Sequence, residues 1–114
     1  IKKVFNKKKI TSVFQPHRFS RVNFLKKEFS KSFKFSDRVV LCPVYAAGEK
    51  NYKKFDINKF GKMISKNSKV DVVIIKDEKN LKNFFKKNLI SNEIIIGMGA
   101  GSISNWMRNL EQSL

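Results

Sequence analysis

Four short runs of apolar residues punctuate the chain, at Ile10 to Gln15, Arg38 to Val44, Val70 to Lys76 and Glu93 to Gly97. The centres of the last three, Val39-Val40-Leu41, Val72-Val73-Ile74-Ile75 and Ile94-Ile95-Ile96, are continuously apolar and do not alternate, the pattern of strands covered on both faces. The stretches between them step at helical spacing. Val22, Leu25, Phe29 and Phe33 form one stripe, Leu81, Phe84, Phe85 and Leu89 another, and Ile103, Trp106, Met107 and Leu110 a last one. Asp56 and Asp77 fall where helix N-caps belong. Strand and helix in alternation, with short connections, predict an α/β domain with a mainly parallel sheet and right-handed crossovers. No repeat or internal linker breaks the pattern, so residues 1–114 read as one domain.

In an open parallel sheet, ligands gather beyond the carboxyl ends of the strands, where loops and helix N-termini converge. This chain keeps its rare residues at that edge. The first strand is followed by Pro16-His17-Arg18-Phe19-Ser20-Arg21, the second by Pro43-Val44-Tyr45-Ala46-Ala47-Gly48-Glu49, and the last by Gly97-Met98-Gly99-Ala100-Gly101-Ser102. These loops hold the only His, both Pro and four of the five Gly. With 21 Lys against 4 Arg, two Arg placed three positions apart beside His17 stand out. A guanidinium grips a carboxylate or phosphate with a planar fork of donors, whereas an ammonium is a flexible point charge. His17, Arg18 and Arg21 are therefore the candidate binding residues, with Tyr45, Gly48, Glu49, Gly99 and Gly101 as candidate lining of the same cleft. The Gly97-x-Gly99-x-Gly101 spacing departs from the dinucleotide fingerprint and opens the wrong strand for it, so a nicotinamide site is not expected.

The charge changes the picture less than its size suggests. A net charge of +16 and a pI near 10.2 ordinarily indicate nucleic acid or an anionic membrane. Lys, Asn, Ile and Phe, however, make up 54 of the 114 residues and share A- and T-rich codons, and the Lys are scattered along the predicted helices without forming a stripe. Solvated helix faces account for them. The alternative, a basic nucleic-acid-binding module, would show a steep log-linear salt dependence. The many Phe sit at inward helix positions and read as core, not as base-stacking platforms. Cys42, alone in an apolar run, excludes an internal disulfide and supplies no metal cluster. No apolar stretch is long enough to span a bilayer, and the basic start, Ile1 to Lys9, lacks a signal-peptide core. Neither a nucleic-acid nor a membrane partner is expected, and the cytoplasm is the expected compartment. Catalysis is unsupported within the chain, which has no paired carboxylates, no Ser/His/Asp arrangement and no phosphate-binding G-x-x-x-x-G-K-[ST] loop. The lack of an initiator Met points to a piece of something longer.

Three segments in order and spacing, Val13 to Arg21, Pro43 to Glu49 and Gly99 to Trp106, resemble the C-terminal domain of the Mur ligases of bacterial peptidoglycan synthesis, and specifically the alanine-adding branch. A related ligase that recycles murein peptides differs at Pro16-His17-Arg18. The resemblance implies a Rossmann-like, three-layer fold and a role in cell-wall biogenesis, and through it in cell shape and division. It implies a three-domain, ATP-dependent enzyme joining L-alanine to UDP-N-acetylmuramate, in which ATP and Mg²⁺ are bound mainly by a central P-loop domain and the muramyl carboxylate passes through an acyl phosphate. The C-terminal domain would close over the nucleotide and help hold the amino acid, with His17, Arg18 and Arg21 at the cleft shared with the N-terminal and central domains of the same protein. Phe19 stands where the family usually has Tyr. The family's P-loop, its Mg²⁺ ligands and the Asp-Asp-Tyr segment that opens this domain are not in the sequence, so the domain is expected to lack its first strand and helix and to be inactive alone.

Overall fold

The computed structural model of the protein describes residues 9–46, 55–88, 93–99 and 103–113. Four strands alternate with four helices: β1 (Lys9–Gln15), α1 (Phe19–Ser30), β2 (Arg38–Leu41), α2 (Ile57–Ser68), β3 (Asp71–Ile74), α3 (Glu78–Asn88), β4 (Glu93–Gly99) and α4 (Ile103–Ser113). The strands form one sheet in the order β3-β2-β1-β4, and every pairing is parallel. Two hydrophobic layers cover it. Val13, Val40 and Ile75 pack with Leu81 and Phe85 of α3 and Ile103 and Leu110 of α4. Phe14, Val39 and Leu41 pack on the opposite face with Val22 of α1 and Phe60 and Ile64 of α2. This is the three-layer α/β architecture expected from the alternation of elements.

Local sequence explains the boundaries. Asp56 caps α2 by accepting hydrogen bonds from the backbone N–H groups of Asn58 (2.9 Å) and Lys59 (3.2 Å). Asp77 accepts from Asn80 N–H at 2.7 Å while the Asn80 side-chain oxygen accepts from Lys76 N–H at 2.9 Å, a reciprocal cap that starts α3. Phe33 lies past the end of α1, in the turn, yet is buried against Phe14 with ring centroids 5.2 Å apart. Phe14, Phe29 and Phe60 complete the cluster, so these aromatics are core. Phe24 is the exception, 85% exposed on the outer side of α1.

Two expectations are corrected. β2 stops at Leu41, before Pro43 removes a backbone donor, whereas β4 runs two residues past Gly97 and pairs Gly97, Met98 and Gly99 with Val13, Phe14 and Gln15. The Ile run of β4 is also not covered on both faces. At the edge of the sheet Ile94 is 40% exposed, because α1 and α2 lie over β1, β2 and β3 on its side.

The amino edge of the sheet is fastened by buried charge. Arg38, the first residue of β2, forms an ion pair with Glu93, the first residue of β4, at 2.7 Å, and the Glu93 side chain is fully buried. Thr11 of β1 lies between them, donating to the Glu93 carboxylate and accepting from Arg38 Nε at 2.8 Å. The guanidinium also donates to the Asn88 carbonyl at the end of α3 (3.0 Å) and lies 5.0 Å from the centroid of Phe84. Replacing Glu93 by Ala strands a largely desolvated guanidinium, and an unfolding titration should register a loss of about 3 kcal/mol or more. Cys42, next along from β2, is wholly buried, and burial pushes its thiol from 9.0 up to about 12. The unfolded thiol ionises from about pH 9 while the folded one keeps its proton, so this group's stabilisation is complete below that pH and is lost as the pH rises toward 12. At about pH 8 a disulfide reagent should leave the native thiol unmodified and react fully once urea unfolds the chain.

Candidate functional site

β1 ends in Pro16, and the chain then crosses the carboxyl edge of the sheet through His17 and Arg18 into α1. The parallel ladder does not stop with the strands. Cys42 N–H donates to the Phe14 carbonyl (2.8 Å), Tyr45 N–H to the Pro16 carbonyl (2.8 Å) and Arg18 N–H to the Tyr45 carbonyl (2.7 Å). His17 and Tyr45 thereby form an isolated parallel bridge, one residue out of step with the β1–β2 register, because the Cys42–Val44 segment takes up an extra residue around Pro43. The buried Gln15 amide donates to the Pro43 carbonyl at 3.2 Å and holds that segment in place. The slip sets the His17 and Tyr45 rings side by side, nearly parallel at 14° with centroids 5.5 Å apart.

A cavity of about 240 Å³ opens beside this bridge, lined by Phe14, Gln15, His17, Arg21, Phe29 and Gly99. Its floor is aromatic and its polar groups are an imidazole, a guanidinium and a buried amide. The N-terminus of α1, with no acidic residue in its first turn and no side-chain cap, adds the partial positive charge of the helix dipole. Such a lining suits an anion of carboxylate or phosphate size. The cavity lining presents a guanidinium and an imidazole and no carboxylate, so it does not fit a Mg²⁺ ion.

His17 and Arg21 both line this cavity, whereas Arg18, also exposed, does not. Arg18 adopts φ 67° and ψ 133°, a backbone conformation that non-glycine residues rarely hold. Tyr45 is 39% exposed and reaches the site through its contact with His17. Gly99 closes the cavity where β4 meets β1. It has φ +129°, and a Cβ there would run into the Gln15 carbonyl oxygen. Gly48, Glu49 and Gly101 lie outside the described residues. Gln15 escaped the sequence reading as a site residue, although a Gln ending an apolar strand immediately before Pro is a legible signal of a buried amide with a local task. Phe14 and Phe29 read correctly as core, but they also floor the cavity.

Opposite stability effects should follow at the two strained positions. Gly99→Ala should cost about 2 kcal/mol or more, and Arg18→Gly should be neutral or gain up to about 1 kcal/mol, both read from denaturant midpoints.

No family model matches the chain. Curated relatives do. The chain is 46% identical over 112 residues to a UDP-N-acetylmuramate–L-alanine ligase of Pelagibacter ubique, 98% of this chain and 24% of that protein. It is 36% identical over 98 residues to the enzyme of the same name from Acetivibrio thermocellus, 86% of this chain and 21% of that protein. The corresponding protein of Fusobacterium nucleatum is 35% identical over 106 residues, 93% of this chain and 22% of its own length. The chain spans just under a quarter of the length of these relatives. With the three-layer fold and the cationic carboxyl edge in place, these similarities put the chain in the Mur ligase family, as a counterpart of the C-terminal part of the UDP-N-acetylmuramate–L-alanine ligases.

Proposed function

We propose that the chain serves as the C-terminal domain of an ATP-dependent ligase that joins L-alanine to UDP-N-acetylmuramate in the cytoplasm. In this reading it supplies the anion-gripping half of a site whose other half, including the groups for ATP and Mg²⁺, lies in the N-terminal and central domains of the same protein. The convergence of His17 and Arg21 on one anion-sized cavity, at the α1 N-terminus, is the observation that carries the reading. Arg21 would take the alanine carboxylate in its planar fork, His17 would donate a second hydrogen bond, and the exposed Arg18 would face the closing domain and the charge developing on the transferred phosphate. Holding the carboxylate fixes the amine relative to the carbon it attacks, which is a positioning contribution to rate. Among the described residues no helix is long and apolar enough to cross a membrane.

The reading also holds that the domain is completed by a strand and a helix preceding residue 1, and that residues 1–114 alone do not ligate. Support comes from the outer edge of β4, which no described strand pairs, and from the 40% exposure of Ile94 on the face where α1 and α2 lie over the other strands. The complete open reading frame should therefore encode a P-loop upstream, and its product should release ADP in an alanine-dependent reaction. Arg21→Ala should raise the KM for alanine about 10- to 100-fold, the worth of a charge-assisted hydrogen bond. Alanine-dependent ADP release by residues 1–114 alone, or a start codon immediately before Ile1 with a stop codon upstream, would overturn the proposal. Retention on polyanions that falls linearly with log salt would support a nucleic-acid module in its place.

A further inference from the structure

We infer that Tyr45 is a positioning residue that fixes the plane of the His17 imidazole. The inference rests on the reading that His17 and Arg21 bind the alanine carboxylate, and it adds a residue that does not itself line the cavity. The backbone of Tyr45 is held on both sides by the hydrogen bonds to Pro16 and from Arg18, at 2.8 and 2.7 Å, without help from its side chain. The ring is 39% exposed and belongs to neither hydrophobic layer, so folding makes little use of it. Its one aromatic partner among the described residues is His17, at a centroid distance of 5.5 Å and 14° from parallel.

That contact has a directional consequence. The N–H donors of an imidazole lie in the plane of its ring, and rotation about its terminal side-chain bond is loosely restrained. An unsupported His17 at the mouth of the cavity would sweep its donor through a wide arc. A flat ring against one face removes most of that freedom and leaves the ring edge directed at the ligand. The contact is local to the carboxyl edge, because the one-residue slip around Pro43 is what places the two rings opposite each other.

His17 is the only imidazole in the sequence, so its ring signals are unambiguous in a carbon–proton NMR spectrum. In the unaltered chain the His17 ring protons should be shifted upfield by the Tyr45 ring current and should show direct proton–proton contacts to it. Tyr45→Phe should preserve both, and Tyr45→Ala should abolish both while the β1 and β4 amide signals stay in place; Tyr45→Leu serves if the Ala variant loses the native amide pattern. In the complete protein, Tyr45→Ala should raise the KM for alanine roughly three- to tenfold with little change in kcat, and Tyr45→Phe should restore it. Absence of ring-to-ring contacts in the unaltered chain would overturn the inference whatever the activity. Stacked rings with an unchanged KM in Tyr45→Ala would remove the positioning role. Stacked rings in a complete protein with no alanine-dependent activity would instead sink the carboxylate reading and leave the ring geometry standing.

Discussion

The register of the sheet rests on one ion pair at the edge farthest from the site. Arg38 and Glu93 begin β2 and β4, the two neighbours of β1, and reach each other past Thr11 of the strand between them. A slip of one residue in a strand turns all of its side chains to the other face. Along the unbroken Ile94-Ile95-Ile96 run of β4, hydrophobicity penalises such a slip weakly, since one Ile replaces another. A slipped β4 would turn the Glu93 carboxylate to the other face and leave the Arg38 guanidinium without its partner, and that error is costly. Buried charge here selects among strand alignments that oily contacts alone leave nearly equal.

The effect of that alignment is felt at the opposite edge. Register places Gly99 beside Gln15 and Met98 beside Phe14, and so fixes the wall of the cavity that β4 provides. On the other flank, the additional residue around Pro43 breaks step between β1 and the segment after β2, which brings Tyr45 opposite His17. The site is therefore framed by one pairing that is strictly in register and one that is deliberately out of it. Two of the three described residues at positive φ lie at this edge, Gly99 in the cavity wall and Arg18 just outside it, while the third, Lys69, ends α2. Sites commonly hold such strain because the surrounding fold has surplus stability to spend there.

Much of this was legible beforehand, for physical reasons. Val39-Val40-Leu41 and Val72-Val73-Ile74 announce strands because few helical patterns tolerate unbroken β-branched runs, and Asp56 and Asp77 mark helix starts because their carboxylates satisfy free N–H groups. His17 and Arg21 were recognisable from scarcity together with placement after a strand. Other features depend on partners remote in sequence. Glu93 reads as an ordinary strand-flanking charge until Arg38, 55 positions away, is known to reach it. The exposure of Ile94 follows from strand order, which composition does not encode. The extension of β4 to Gly99 and the slip at Pro43 depend on backbone approach, where a glycine or proline signals an irregularity without specifying its sense.

The position of β4 has a consequence for how the chain comes together in time. β1 is an inner strand, yet its partner on one side is the last strand in the sequence, so Thr11 must wait for Ile95. Local helices and the β1–β2–β3 succession can assemble early, but closing so long a loop is slow and pays its entropy before any pairing repays it. During synthesis β1 exposes a bare hydrogen-bonding edge until β4 has emerged. Because that edge is also the one that receives Gly99, the cavity is completed only by the last strand to arrive. A chain caught before that step would display a sticky sheet and no binding site, which makes the site itself a marker of finished folding.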